Sequence, residues 1–140
     1  MIRIIVTGHG RFASGIQAAV QMVTGEHEEL VFVDFSEKLS TEALKDVLTR
    51  NLGTEEQGTL ILCDLLGGTP FNTAAGLKVC CRNLEVIGGM NLGMLIEAIF
   101  GRSSCESPAE LVAVCMESVQ QSVQHFTLNE TDDKMSGEEL

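Results

Sequence analysis

Two side chains in this sequence have both the chemistry and the setting to act together. His9 follows the apolar run Ile2 to Val6 and stands between Gly8 and Gly10, so the backbone can turn sharply and leave the imidazole uncrowded. A neutral imidazole nitrogen near pH 7 is a nucleophile, a metal ligand or a proton shuttle, so the residue type alone names no reaction. Asp64 follows a second apolar run, Thr59 to Cys63, where an ionised carboxylate is costly without a partner. Two roles are open to it. It can cap the turn after it, or accept one ring N–H of His9, fixing the tautomer and leaving the other nitrogen free to attack.

Gly67-Gly68-Thr69-Pro70-Phe71-Asn72 leads from that run into a helix, with Thr69 expected as N-cap and Pro70 in the first helical position. Unpaired backbone N–H groups in a glycine turn and at a helix start suit an anion such as a phosphoryl group, and the Thr69 hydroxyl can add to them. Gly88-Gly89-Met90-Asn91-Leu92-Gly93-Met94 is another corner opening a helix. Its methionines fit the core, and near a crevice they also make an adaptable docking surface. His27, among Glu26, Glu28 and Glu29, and His125, late in the last helical pattern, are expected to be solvated. The mononucleotide loop Gly-x-x-x-x-Gly-Lys-Ser/Thr is absent. No spacing among the 3 histidines and 5 cysteines argues a metal site.

The elements that must position these residues follow from hydrophobic period. Four short apolar runs, Ile2 to Val6, Leu30 to Phe35, Thr59 to Cys63 and Leu84 to Ile87, have strand length. Between them lie helical patterns: Phe12 to Val23 stopped by Gly25, Leu44 to Leu52 closed by Gly53, and Ala74 to Cys81 behind Pro70. Leu92 to Phe100 follows, and then a long helix capped at Ser107-Pro108-Ala109-Glu110 that carries apolar positions out to Val123 and Phe126. Strands alternating with helices, and near-continuously apolar, predict an α/β fold. It is a single, doubly wound, mainly parallel sheet of four strands in the order 2-1-3-4, covered by helices on both faces. Ligands of such sheets bind outside the carboxyl ends of the strands where the winding reverses, here strands 1 and 3. Those are the ends that carry His9 and Asp64.

At 140 residues with 44% hydrophobic and 21% charged, the composition fits one domain with a core that needs no disulfide or metal. Lys and Arg number 9 against 20 Asp and Glu, a formal charge of −11, which argues against nucleic acid or an anionic membrane as partner and favours a protein with a basic contact face. The start of the chain reads as a strand and not a signal peptide, and no run of about 18 apolar residues is long enough to span a bilayer. The cysteines are odd in number and lack a Cys-x-x-Cys pair, so a reducing cytoplasmic compartment is expected.

Taken as an ordered set at the ends of strands 1, 3 and 4, three segments resemble the enzyme IIA component of bacterial mannose-type (mannose, fructose, sorbose) sugar phosphotransferase systems. They are Gly8-His9-Gly10, Asp64-Leu65-Leu66-Gly67-Gly68-Thr69-Pro70-Phe71-Asn72 and Gly88-Gly89-Met90-Asn91-Leu92-Gly93-Met94. The resemblance implies a cytoplasmic phosphotransferase domain over 1–128 followed by a flexible acidic tail over 129–140. His9 would take a phosphoryl group from HPr and pass it to a IIB component, meeting the membrane components IIC and IID only indirectly. It further implies that Asp64 orients His9 so that Nε2 attacks, and that Gly10, Gly67, Gly68 and Thr69 hold the phosphoryl oxygens. Arg11, Phe71, Met90 and Asn91 would serve partner docking, and no metal or cofactor is required. Relatives are homodimers, some by exchange of a C-terminal strand, so residues around Phe126 to Leu128 can supply a fifth edge strand. Two rival assignments stay open: the phosphotransfer subunit of a dihydroxyacetone kinase, and a regulatory domain switched by phosphorylation. The sugar is not legible, because its selection belongs to the membrane components.

Overall fold

The computed structural model describes residues 1–129 of the chain. Its four strands are β1 (Arg3–His9), β2 (Leu30–Phe35), β3 (Thr59–Cys63) and β4 (Leu84–Gly88), all parallel and ordered β2-β1-β3-β4 as expected. The helices are α1 (Phe12–Thr24), α2 (Thr41–Asn51), α3 (Thr69–Gly76), α4 (Leu92–Gly101) and α5 (Pro108–Ser122).

The middles of the central strands, Ile4 to Val6 and Leu60 to Cys63, are apolar because both faces of the sheet are covered, and the period of two sorts their side chains. Ile4, Val6, Leu60 and Leu62 point into one core with Val20 of α1, Leu95 of α4 and Leu111 of α5. Ile5, Ile61 and Cys63 point into the other with Leu44 and Leu48 of α2 and Ala74 of α3. Each of these leucines and isoleucines is fully buried, a contribution of about 1.5–3 kcal/mol per side chain. Helix starts are fixed locally. The side chains of Ser40, Asn91 and Ser107 accept N–H bonds from Ala43, Met94 and Glu110 at 3.1, 2.8 and 3.3 Å.

Several boundaries differ from expectation. β1 continues to His9, which leaves the imidazole on the last residue of a strand and not on a loose loop. Gly68, not Thr69, is the N-cap of α3, with Thr69 the first helical residue. That helix gives way after Gly76 to a 3₁₀ turn, Leu77–Val79, short of Cys81. α5 stops at Ser122. The apolar spacing runs on, but Val123 and Phe126 are 69% and 68% exposed, so no packing surface sustains the helix. His125 therefore lies beyond the helix. Residues 123–129 form no strand, so the sheet has no fifth strand among the described residues. The expected acidic tail falls, apart from Asn129, outside the described residues. No helix among those described is long and apolar enough to cross a membrane.

Candidate functional site

Parallel pairing of β1 with β3 sets Thr7 beside Cys63, so the next residues of both strands meet at one corner. The Asp64 N–H donates to the Thr7 carbonyl at 3.3 Å, which turns the carboxylate back toward β1. There a single oxygen, Asp64 Oδ2, accepts two bonds from His9: the backbone N–H at 2.9 Å and ring Nδ1 at 2.9 Å. A carboxylate can only accept, so in the neutral ring Nδ1 carries the proton and Nε2 keeps its lone pair. The Asp64 side chain is 13% exposed and that of His9 46%, so the carboxylate is shielded while the imidazole faces outward. Of the two contacts open to Asp64, the one with the His9 ring is made.

Gly68 sets the other side of the ring. A Cβ at this position would stand 2.7 Å from His9 Cε1 and 3.3 Å from Nε2, so only glycine leaves the imidazole where it is. The Phe35 ring meets the imidazole edge-on, centroids 6.2 Å apart. Its carbonyl accepts the Gly10 N–H at 2.7 Å. This corrects one expectation. The Gly10 amide is already bonded and is not a donor for a phosphoryl group; the residue supplies the left-handed turn, φ 58°, that leads into α1. Gly68 too spends its N–H, on the Leu65 carbonyl at 3.2 Å.

What remains for an anion lies in the Gly67–Phe71 segment. Among the described residues no acceptor meets the N–H groups of Gly67, Thr69 and Phe71. Asn72 braces this loop by donating its N–H to the Gly68 carbonyl at 2.9 Å and its side-chain amide to the Gly67 carbonyl at 3.0 Å. Thr69 is half-buried and borders a cavity of about 460 Å³ shared with Thr41, Glu42, Lys45, Asn72, Thr73 and Gly76. Cys63, directly before Asp64, is no rival nucleophile. Burial, and secondarily the neighbouring Asp64 charge, push its thiol up to about 12. No group of three or more metal-ligating side chains is assembled among the described residues.

The four expected docking residues separate. Arg11 is exposed at the N-cap of α1, next to His9. Phe71 is half-buried, its ring against Gly88. Asn91 commits its side-chain oxygen to capping α4. Met90 is 5% exposed and packed in the core, its N–H on the Cys63 carbonyl at 3.0 Å, so it is not available to a partner. A methionine after Gly-Gly fits core or surface equally, and here the corner folds it inward. Leu65 and Leu66, 57% and 69% exposed beside Asp64, are the apolar pair that the expectation missed. It also missed the β2 side: His9 and Gly10 line a cavity of about 460 Å³ with Phe35, Ser36 and Glu37. Strand order was signal enough, because the end of β2 must flank the end of β1.

Comparison with known proteins agrees with this geometry. The family model for the PTS system fructose IIA component matches residues 3–116. The PTS system mannose-specific EIIAB component of Escherichia coli K12 is 33% identical over 124 residues, covering 87% of this chain; the chain spans 38% of that relative's length. The PTS system sorbose-specific EIIA component of Lacticaseibacillus casei is 32% identical over 117 residues, covering 83% of this chain and 84% of that one. The crystal structure of a phosphotransferase system EIIA component from Streptococcus agalactiae superposes with a TM-score of 0.85 at 33% identity, over 89% of this chain and 97% of the other. With a shielded aspartate presenting a histidine at the switch point of a 2-1-3-4 sheet, and a family match over most of its length, the chain belongs to the mannose-type EIIA family of sugar phosphotransferase systems.

Proposed function

We propose that this domain, over 1–128, relays phosphoryl groups during sugar uptake, His9 taking one from phospho-HPr and giving it to a IIB component. The observation that carries this is the paired acceptance by Asp64 Oδ2 of the His9 backbone and Nδ1 protons, both at 2.9 Å, which leaves Nε2 as an outward-facing nucleophile. On loading, the Nε2 lone pair forms the new N–P bond as the bond from phosphorus to the donor's phosphorylated side chain breaks and its electron pair stays with the donor; on unloading, the lone pair of the IIB acceptor side chain attacks phosphorus and the electron pair of the Nε2–P bond returns to Nε2. Nδ1–H is retained throughout, so the ring never loses its hold on Asp64. Phosphoryl transfer asks the protein for position and charge stabilisation and for little else. Asp64 gives position. The N–H groups of Gly67, Thr69 and Phe71, with the Thr69 hydroxyl, bind the equatorial oxygens, as an α3 N-terminus favours.

Partner docking falls to Arg11 and the exposed Leu65 and Leu66, with Phe71 at the margin. The domain works as a cytoplasmic homodimer. Support for strand exchange comes from the open edge of β4 and from Val123, Phe126 and Leu128, all more than two-thirds exposed. Sedimentation at micromolar concentration tests the dimer, and truncation after Ser122 should dissociate it. The decisive test of function is intact-mass spectrometry at neutral to alkaline pH after incubation with phosphoenolpyruvate, enzyme I and HPr. One acid-labile phosphoryl group, absent from His9→Ala, is expected. No gain in mass with demonstrably active partners would overturn the proposal.

A further inference from the structure

Asp64 has a second carboxylate oxygen that takes no part in holding His9. Oδ1 is buried and meets no hydrogen-bond donor among the described residues, although an ionised carboxylate accepts at both oxygens and an unpaired buried acceptor is costly. Gly8 shows which side chain lies nearby. A Cβ there would lie 2.8 Å from Asp64 Cγ and 2.7 and 2.9 Å from Cδ2 and Cγ of the Phe12 ring. The carboxyl group and the ring therefore both close over the bare Gly8 Cα. Phe12 opens α1 directly after the His9-Gly10-Arg11 turn, and its half-buried ring is anchored on the core cluster that holds Val6 and Leu62.

We propose that Phe12, with Gly8 beneath it, is a positioning residue for phosphoryl transfer, its ring keeping water from Asp64 Oδ1 so that the carboxylate bonds His9 through Oδ2 alone. Water at Oδ1 would give the carboxylate competing hydrogen bonds and a reason to rotate about Cβ–Cγ, and each rotation would release the imidazole. With Oδ1 dry, the two His9 protons are the donors that stabilise its charge, and exclusion of water strengthens both bonds. The sequence places the device economically: the same short segment supplies the glycine that admits the carboxyl, the histidine it holds and the ring that covers it.

The rate arm of the test rests on the relay proposal; the hydrogen-bond arm does not. Solvent exchange of the His9 Nδ1 proton is followed by NMR in the wild type, Phe12→Ala and Phe12→Leu, alongside single-turnover transfer from phospho-HPr. Phe12→Ala should exchange that proton about tenfold faster and transfer about tenfold more slowly, with the KM for phospho-HPr unchanged and Phe12→Leu recovering most of both. In an Asp64→Asn background, Phe12→Ala should slow transfer no further, since the ring acts only through the carboxylate. Should Phe12→Ala not fold, Phe12→Val carries the same comparison. A folded variant with wild-type Nδ1 exchange, or one equally harmful in the Asp64→Asn background, would overturn the inference. Failure of the wild type to be phosphorylated would remove the relay and leave the exchange result to decide the role of the ring.

Discussion

Replacing Gly68 by alanine should uncouple the site from the fold. The added Cβ would stand 2.7 Å from His9 Cε1 and 3.3 Å from Nε2, whereas carbon atoms rest about 3.5–4.0 Å apart. One partner must give by roughly 1 Å. The backbone has no reason to, because φ −76° and ψ 170° at Gly68 lie in a region that alanine adopts without strain. The imidazole, 46% exposed and held by its bonds to Asp64, is the movable party, and its retreat stretches the 2.9 Å Nδ1 contact and turns Nε2 aside. A misplacement of about 1 Å costs on the order of a hundredfold in rate, while stability should stay within about 1 kcal/mol of the wild type. Single-turnover transfer from phospho-HPr reads the first quantity and urea denaturation the second. Gly25→Ala is the opposite control. Its Cβ meets nothing within 4 Å, but φ 83° with ψ −168° is a conformation reserved for glycine. That variant should lose about 1–3 kcal/mol of stability and keep wild-type transfer, since the end of α1 is remote from His9. Wild-type transfer by Gly68→Ala, or a loss of stability as large as that of Gly25→Ala, would refute the steric argument.

Asp64→Asn should fold normally and keep its KM for phospho-HPr but transfer at least about tenfold more slowly, because an uncharged amide holds the imidazole less firmly; transfer at the wild-type rate would remove Asp64 from the mechanism. The buried thiols predict an alkaline limb of stability. Burial pushes Cys63 up to about 12 and Cys115 to about 11, against 9.0 for a free thiol. Between the free and the folded values the unfolded chain has released a proton that the folded one retains, so stability falls as pH rises. The slope is about 1.4 kcal/mol per pH unit for each thiol above pH 9, with none of this loss below it. Urea denaturation across pH 8 to 10.5 should show that limb, and Cys63→Ala should make it shallower; a flat profile would show that neither thiol is as buried in solution as its packing indicates.

Much of this architecture is legible in the residues. Runs such as Ile2 to Val6 and Thr59 to Cys63 carry a single polar residue each, Arg3 and Thr59, at or near the start, and no alternation beyond it, which favours strands buried on both faces, and the right-handed crossover then places β1 beside β3. Once that pairing is fixed, His9 and Asp64 must share a corner. Less legible is where a hydrogen bond is already spent. Nothing near Gly10 in the sequence tells that the Phe35 carbonyl, arriving on a different strand, takes its N–H. Met90 and the Leu65–Leu66 pair show the same limit for side chains. All three are large and apolar within two residues of a glycine pair, and burial is decided by which way the corner folds, a tertiary event that local sequence does not encode. The end of α5 is the case of a pattern outrunning its support: period alone reaches Phe126, but a helix persists only where its apolar face is covered.

The two helices that begin beside His9 treat their N-termini in opposite ways, and the difference bears on how so acidic a chain would carry a phosphoryl group in the proposed relay. At α1, the Asp34 carboxylate reaches from β2 to accept the Ser14 N–H at 2.9 Å, and the Phe35 carbonyl takes the Gly10 N–H, so positive ends there are consumed. That half of the corner is braced and repels a further anion. At α3 the N-cap is a glycine with no side chain to fold back, proline removes one N–H without loss, and the amides of Thr69 and Phe71 stay open. In the proposed relay, Asp64 thus holds His9 and Asp34 closes the start of α1, while the bare backbone of α3 is the part left for the phosphoryl group. A chain with a formal charge of −11 attracts free phosphate poorly at long range. Under the proposed relay, the anion is therefore better delivered by a partner whose basic contact face is drawn to that charge, and would be released to the α3 amides only at contact.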